Sequence, residues 1–182
     1  MGITAGYLGG WVDAVMMRLS DAISAFPAIL LGAAVVAILG PCFVQVAIAQ
    51  SPLFARLARA LAMIEARQEY VEAAASMDAS SGRIMLRHIP PNAMGPLVVQ
   101  ASLSVGIAIL LEAGLSFLGL GVQPPTPSWG QMLADSLRFI DIVPAYAIFP
   151  GLALTLVVVG INLIADAMRD RLDPNHVAGG GK

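Results

Sequence analysis

Long runs of apolar residues alternate along this chain with one compact charged segment. The first run, about Ala22 to Leu39, carries no charge after Asp21. At about 18 residues it lies near the lower limit for a membrane-spanning helix. Pro27 falls in its first turns, where a helix tolerates proline better than in its middle, and Gly40-Pro41 closes it. The second run, about Cys42 to Ala55, contains Gln45, Gln50, Ser51 and Pro52 and stops at Arg56. Roughly 14 residues is short for a crossing, so a short span, a tilted span and a re-entrant piece are its readings. The third run, about Ala93 to Leu120, is the longest. The last, about Ile142 to Ala165, is a span with Pro144, Pro150, Gly151 and Gly160 as kink points. Such residues are tolerated where neighbouring helices re-satisfy the backbone.

The segment Arg56–Asn92 is different in kind. It carries Arg56, Arg59, Glu65, Arg67, Glu69, Glu72, Asp78, Arg83 and Arg87. Strong helix formers dominate Leu57–Met77. Tyr70, Ala74 and Met77 recur at i, i+4 and i+7 and predict one apolar helical face. Asp78–Gly82 reads as a turn, with Ser80 or Ser81 capping a second short helix through His88 and Pro90-Pro91 stopping it. In the third run, Ser104, Ala108, Glu112 and Ser116 follow one another at every fourth position. Small and polar groups therefore share a side, which predicts contact with other helices. Glu112 is the one ionisable residue there. In hydrocarbon it is costly, so it faces protein or a water-filled path, either as a hydrogen-bonded packing group or as part of gating or the substrate path. Gly119–Asp141 is a loop rich in turn residues, and Trp129 with QMLADSL predicts a short interfacial helix.

Composition makes the bilayer reading firm. Hydrophobic residues are 58% and charged ones 12%, against about 25% charged in soluble domains. The net charge of −2 gives no basic tract for nucleic acid and no acidic tail. With Arg56–Asn92 cytoplasmic and four spans, the inner face holds Arg18, Arg56, Arg59, Arg67, Arg83, Arg87, Arg169, Arg171 and Lys182, and the outer face only Arg138. That bias follows the positive-inside rule and favours the second run as a span, since three spans would leave Arg18 outside. The expected fold is an all-α polytopic membrane bundle forming a single domain over 1–182. It comprises an interfacial N-terminal segment 1–21, two spans within 22–55, a cytoplasmic helical loop 56–92, a span 93–120, a periplasmic loop 121–141, a span 142–165 and a cytoplasmic tail 166–182. The first twenty residues lack the basic start and compact apolar run of a secretory signal. With Gly2, Gly6, Gly9 and Gly10 beside Tyr7 and Trp11, they read as an internal segment, and the true N-terminus is expected upstream.

No catalytic constellation stands out. There is no phosphate loop and no nucleophile elbow. Cys42 is the one cysteine, and His88 and His176 lie far apart without a second ligand at metal spacing, so no metal site is expected. Glu65/Glu69 and Glu69/Glu72 alternate with Arg67 as a solvated face. A transporter without an energy-coupling site of its own runs passively, follows an ion gradient, or uses a separate motor. An ion-coupled carrier predicts ionisable residues in several spans, and only Glu112 qualifies. The helical loop is either a docking element for a partner, entering a groove by its apolar face, or an amphipathic helix lying on the bilayer.

The segment EYVEAAASMDASSGRIMLRHIPPNAMGPLVVQ, Glu69–Gln100, resembles the EAA loop of binding-protein-dependent ABC transporter permeases. GYLGGWVDAVMMRLSDAISAFPAILL (Gly6–Leu31), EAGLSFLGLGVQPPTPSWGQML (Glu112–Leu133) and DAMRDRLDPN (Asp166–Asn175) resemble its dipeptide/oligopeptide/nickel branch. The resemblance covers nearly all of the chain and implies a permease subunit in a bacterial inner membrane. Its EAA segment would be a coupling helix docking into a separate ATPase subunit, where ATP and magnesium bind. A second related permease subunit and an extracytoplasmic substrate-binding protein complete such an importer. Carried over by motif, Glu72, Ala73 and Ala74 form the contact core, with Tyr70, Met77, Asp78 and Gly82 around it.

Three departures are visible. Asp78 stands where the motif has glycine, so the turn is expected either to survive at a cost of about 1 kcal/mol or to shift toward Gly82. The stretch before Arg56 is slightly short. Such permeases usually carry about six spans, so the chain is expected to be N-terminally truncated, and a non-transporting remnant is the alternative reading.

Overall fold

The structure, a computed structural model, describes residues 1–40 and 44–172. Residues 41–43 and 173–182 lie outside that range. So do the expected break at Pro41, the expected start of the second run at Cys42, and the tail beyond Leu172 with Asn175, His176 and Lys182. Among the described residues every regular element is helical: α1 Gly2–Leu8, α2 Gly10–Ser24, α3 Ala28–Leu39, α4 Val44–Glu65, α5 Glu69–Ser76, α6 Ser81–Arg83, α7 Ile89–Phe117, α8 Trp129–Ser136 and α9 Ala145–Leu172, with a π-helical turn at Ile84–His88.

The chain divides into two compact units. The first contains residues 1–25, 51–100 and 168–172. In it α1 lies close against α4. A Cβ added to Gly2 or Gly6 would overlap the Ala55 or Arg59 carbonyl, so the contact needs glycine at both positions, as small residues permit close helix packing. Arg59 Nη2 donates to Asp13 Oδ2 at 2.6 Å and Arg56 pairs with Asp21 at 3.1 Å, tying α2 to α4. Ala62, Val71, Ala74, Ile84 and Ile89 form the core, with Ile3, Tyr7 and Ala79 packed against it. Tyr7 therefore turns inward, whereas Trp11 stays 80% exposed.

The second unit contains residues 26–50 and 101–167. Gly32 of α3 meets the Leu115 side chain of α7, and Gln50 Nε2 donates to the Ser104 carbonyl at 3.3 Å. Ser104 and Ser116 of the polar stripe are buried against protein, whereas Ala108 and Glu112 between them are half-buried. Phe149, Leu152, Leu156 and Leu163 form an exposed apolar stripe along α9. In water such a stripe is a liability; in a bilayer it is solvated by acyl chains.

Several boundaries differ from the sequence expectation. The apolar run Ala22–Leu39 is not one helix: α2 ends at Ser24, and Pro27 sits extended at φ −55°, ψ 134° as the residue before α3. Arg56 does not end α4, which continues to Glu65 with Pro52 inside it. Pro90-Pro91 does not stop the following helix, and Ser81–Phe117 runs on for 37 residues. The reason is the π turn just before the prolines. Ile89 N–H bonds to Ile84 O, five residues back, and the widened turn makes room for rings that clash in a regular α-turn. α9 starts after Pro144 and extends seven residues beyond Ala165 to Leu172, where a polar tail was expected.

Ser81–Phe117 and Ala145–Arg171 are long and apolar enough to cross a bilayer, and the broken pair Gly10–Ser24 and Ala28–Leu39 counts as a third if taken as one span. Four were expected. α4 falls short because Gln45, Gln50, Ser51 and Pro52 in its first half and Arg56 and Arg59 in its second lower its mean hydropathy.

Candidate functional site

The charged loop of the first unit is built around α5. Val71 and Ala74 are 4% and 5% exposed and hold the helix to its core, whereas Met77 is 79% exposed and Glu72 and Ala73 face outward. The single face expected from Tyr70, Ala74 and Met77 is therefore split. Ala74 points into the protein, and the outward face belongs to Glu72, Ala73 and Met77. The i, i+4, i+7 rule identified a shared side but not which neighbouring stripe is buried, and Val71 decides that.

Asp78 resolves the question of the motif turn. Its φ is 63°, in the left-handed region. Ala79 N–H bonds to Ala74 O and Asp78 N–H to Ala75 O, both at 3.1 Å. This crossed pair is a Schellman cap with Asp78 at the position glycine usually takes, and Ala79 packs against the core cluster that contains Ala74. The turn does not shift to Gly82, which lies exposed inside α6. Of the two serines, Ser80 is the cap, accepting from Arg83 N–H at 3.4 Å.

Tyr70 has a role beyond an apolar contact. Its hydroxyl donates to Glu65 Oε2 at 2.5 Å and accepts from Asn92 Nδ2 at 3.0 Å. Asn92 also donates to the His88 carbonyl. One phenol thus joins α5 to the end of α4 and the start of α7. Partial burial, then the bond to Glu65, push the Tyr70 phenol up from its ordinary range despite the opposing bond from Asn92. Sequence reasoning missed Glu65 and Asn92 in this role. Glu65 looked like part of a solvated face, and Asn92 carries no motif.

In the second unit, Glu112 lines a cavity of about 780 Å³ with Val46, Ala108, Ile109, Trp129 and Met132. The walls are mainly apolar, and among the described residues lining it none is cationic. Ser116 Oγ donates to Glu112 Oε1 at 2.5 Å. Glu112 is thus both hydrogen-bonded and cavity-facing. The cavity is held by close contacts. A Cβ on Gly130 would overlap the Ala113 carbonyl, and one on Gly121 would overlap Ser116. Ser128 caps α8 by accepting from Gln131 N–H at 3.2 Å. The sequence flagged Glu112 and the short helix at Trp129, but nothing in the spacing put them in one cavity.

Helices of bilayer length, lipid-compatible apolar stripes and a compact charged loop define a helical membrane protein. The chain belongs to the binding-protein-dependent transport system inner membrane component family, whose model matches residues 1–176. It is 46% identical over 178 residues to the dipeptide transport system permease protein of Alkalihalophilus pseudofirmus, covering 96% of this chain and 59% of that one. It is equally similar, with the same coverage, to a glutathione transport system permease protein of Pectobacterium atrosepticum. The corresponding glutathione permease protein of Escherichia coli O157:H7 is 46% identical over 172 residues, 92% of this chain and 57% of that one. The chain thus spans less than two thirds of the length of the curated relatives it matches.

Proposed function

We propose that this chain forms part of the translocation path of an ATP-driven importer for peptides or related small solutes, and that α5 couples it to a separate ATPase subunit. The observation that carries this is the outward face of Glu72, Ala73 and Met77, on a helix anchored from behind by Val71 and Ala74. Small Ala73 permits close approach by a partner surface, and Glu72 supplies a charge for a basic group on it. In this reading the chain has four spans, a cytoplasmic loop 56–92, a periplasmic loop 121–141 and a cytoplasmic tail. ATP and magnesium bind on the partner ATPase, a second related permease subunit closes the path, and an extracytoplasmic binding protein delivers substrate. The names of the dipeptide and glutathione relatives support the solute class.

Closure of the ATPase pair on ATP would displace α5. Tyr70 and Asn92 then pass the movement to the start of α7, and a stiff helix transmits a push that a flexible loop dissipates. α7 continues without interruption from Ile89 to Phe117 and carries Glu112 near its far end.

Glu72→Lys is expected to cut co-purification of the ATPase subunits about tenfold or more, by placing like charges at the contact, while leaving membrane insertion and thermal unfolding of this chain unchanged. Co-purification at wild-type stoichiometry would count against α5 as the docking element.

A further inference from the structure

We infer that the cavity around Glu112 is a binding site for a primary ammonium group carried on an apolar body. This rests on the importer reading and names the feature of the cargo that the site would grip. Among the described residues, Glu112 is the one ionisable group lining the cavity, and no lining cation competes for it. Ser116 Oγ occupies only one carboxyl oxygen, which orients the group and leaves the other available. The indole of Trp129 belongs to the same wall. A carboxylate and an aromatic ring lining one cavity both attract a cation.

The approach of α8 to α7 beside Glu112 and Trp129 is fixed by the backbone. Gly130 packs directly on the Ala113 carbonyl, and these are the chain neighbours of Trp129 and Glu112. Any side chain at 130 would separate the two walls. The apolar remainder, Val46, Ala108, Ile109 and Met132, would receive a hydrophobic side chain next to the ammonium. A volume of about 780 Å³ lies within the range of small-molecule pockets, roughly 300–1,000 Å³. A short peptide with a free amino terminus and apolar side chains has this chemistry. An aminophospholipid headgroup shares the ammonium, and we assign the site to the solute because Val122, Pro127, Ser128, Trp129 and Met132 line it while, among the described residues, none of the lipid-compatible stripe of α9 does.

The test is equilibrium binding of radiolabelled leucyl-leucine to the complete importer complex in phosphatidylcholine nanodiscs, with N-acetyl-leucyl-leucine as the uncharged competitor. The free-amino dipeptide should bind and the acetylated one compete at least about tenfold less well, as expected for loss of a partly desolvated charge pair. Glu112→Gln should abolish that preference and Glu112→Asp restore part of it. Trp129→Phe should retain binding and Trp129→Leu weaken it, a comparison that leaves the carboxylate in place. Equal competition by the acetylated dipeptide, or a Glu112→Gln complex that keeps the preference, would overturn the assignment. So would loss of dipeptide binding when phosphatidylethanolamine replaces phosphatidylcholine, which would give the site to lipid. Failure of the ATPase subunits to co-purify sinks the importer reading itself. An assembled, ATP-hydrolysing complex indifferent to Glu112→Gln sinks only this inference.

Discussion

Asp78 shows how much a single dihedral angle can carry. A left-handed conformation costs an L-residue about 1–2 kcal/mol, least for Asp and Asn. Glycine removes that cost but gives up about 0.4–1 kcal/mol through a freer unfolded chain. Relief wins narrowly, so Asp78→Gly is expected to stabilise the protein by about 0.5 kcal/mol and to raise the thermal midpoint slightly. A lowered midpoint would mean that the aspartate side chain supplies something the Schellman cap does not explain. The sequence exposed this position because a motif glycine was replaced. Which of Asp78 and Gly82 makes the turn was not legible, since both tolerate it. The capping bonds to Ala74 and Ala75 decide it, because they require the reversal immediately after Met77.

The elements were legible by type and less so by boundary. Apolar runs gave α3, α7 and α9, and the Ala-rich charged stretch gave the C-terminal half of α4 together with α5. Prolines misled in both directions. Pro27, counted as tolerable, marks a break because the residues before it already form the end of α2. Pro90-Pro91, counted as a stop, is absorbed by a π turn that no periodicity announces. Long-range partners were also invisible. The Tyr70 bonds to Glu65 and Asn92 span 5 and 22 positions and join three helices. Tyr70→Phe keeps the ring and removes both bonds. With each worth about 0.5–1.5 kcal/mol before allowance for exposure, local opening of α5 should become several-fold more frequent. Amide hydrogen exchange should quicken across Glu69–Ser76 and stay unchanged in α9. Equal exchange in α5 would show that Val71 and Ala74 alone hold the helix.

At the scale of the whole molecule, the apolar composition and the crowding of positive charge into one loop made the membrane class legible, and the ordered motifs made the family legible. The number of crossings was not. It depends on whether α2 and α3 act as one broken span and on whether α4, polar from Arg56 onward, enters the bilayer through its first half. Sequence hydropathy treats each run alone, whereas a polar half-helix is tolerated wherever protein covers it. The cavity illustrates the same limit. Glu112 and Trp129 are 17 positions apart in sequence, and they line one cavity where Gly130 packs on Ala113 and Gly121 on Ser116.

The most direct test of the account is solute uptake by proteoliposomes containing the complete importer with this chain, supplied with its binding protein and ATP. Uptake of a dipeptide should require ATP, should fail with a non-hydrolysable analogue, and should be insensitive to collapse of the proton gradient. Uptake that continues without ATP, or stops when the gradient is collapsed, would contradict coupling through α5 to a separate ATPase.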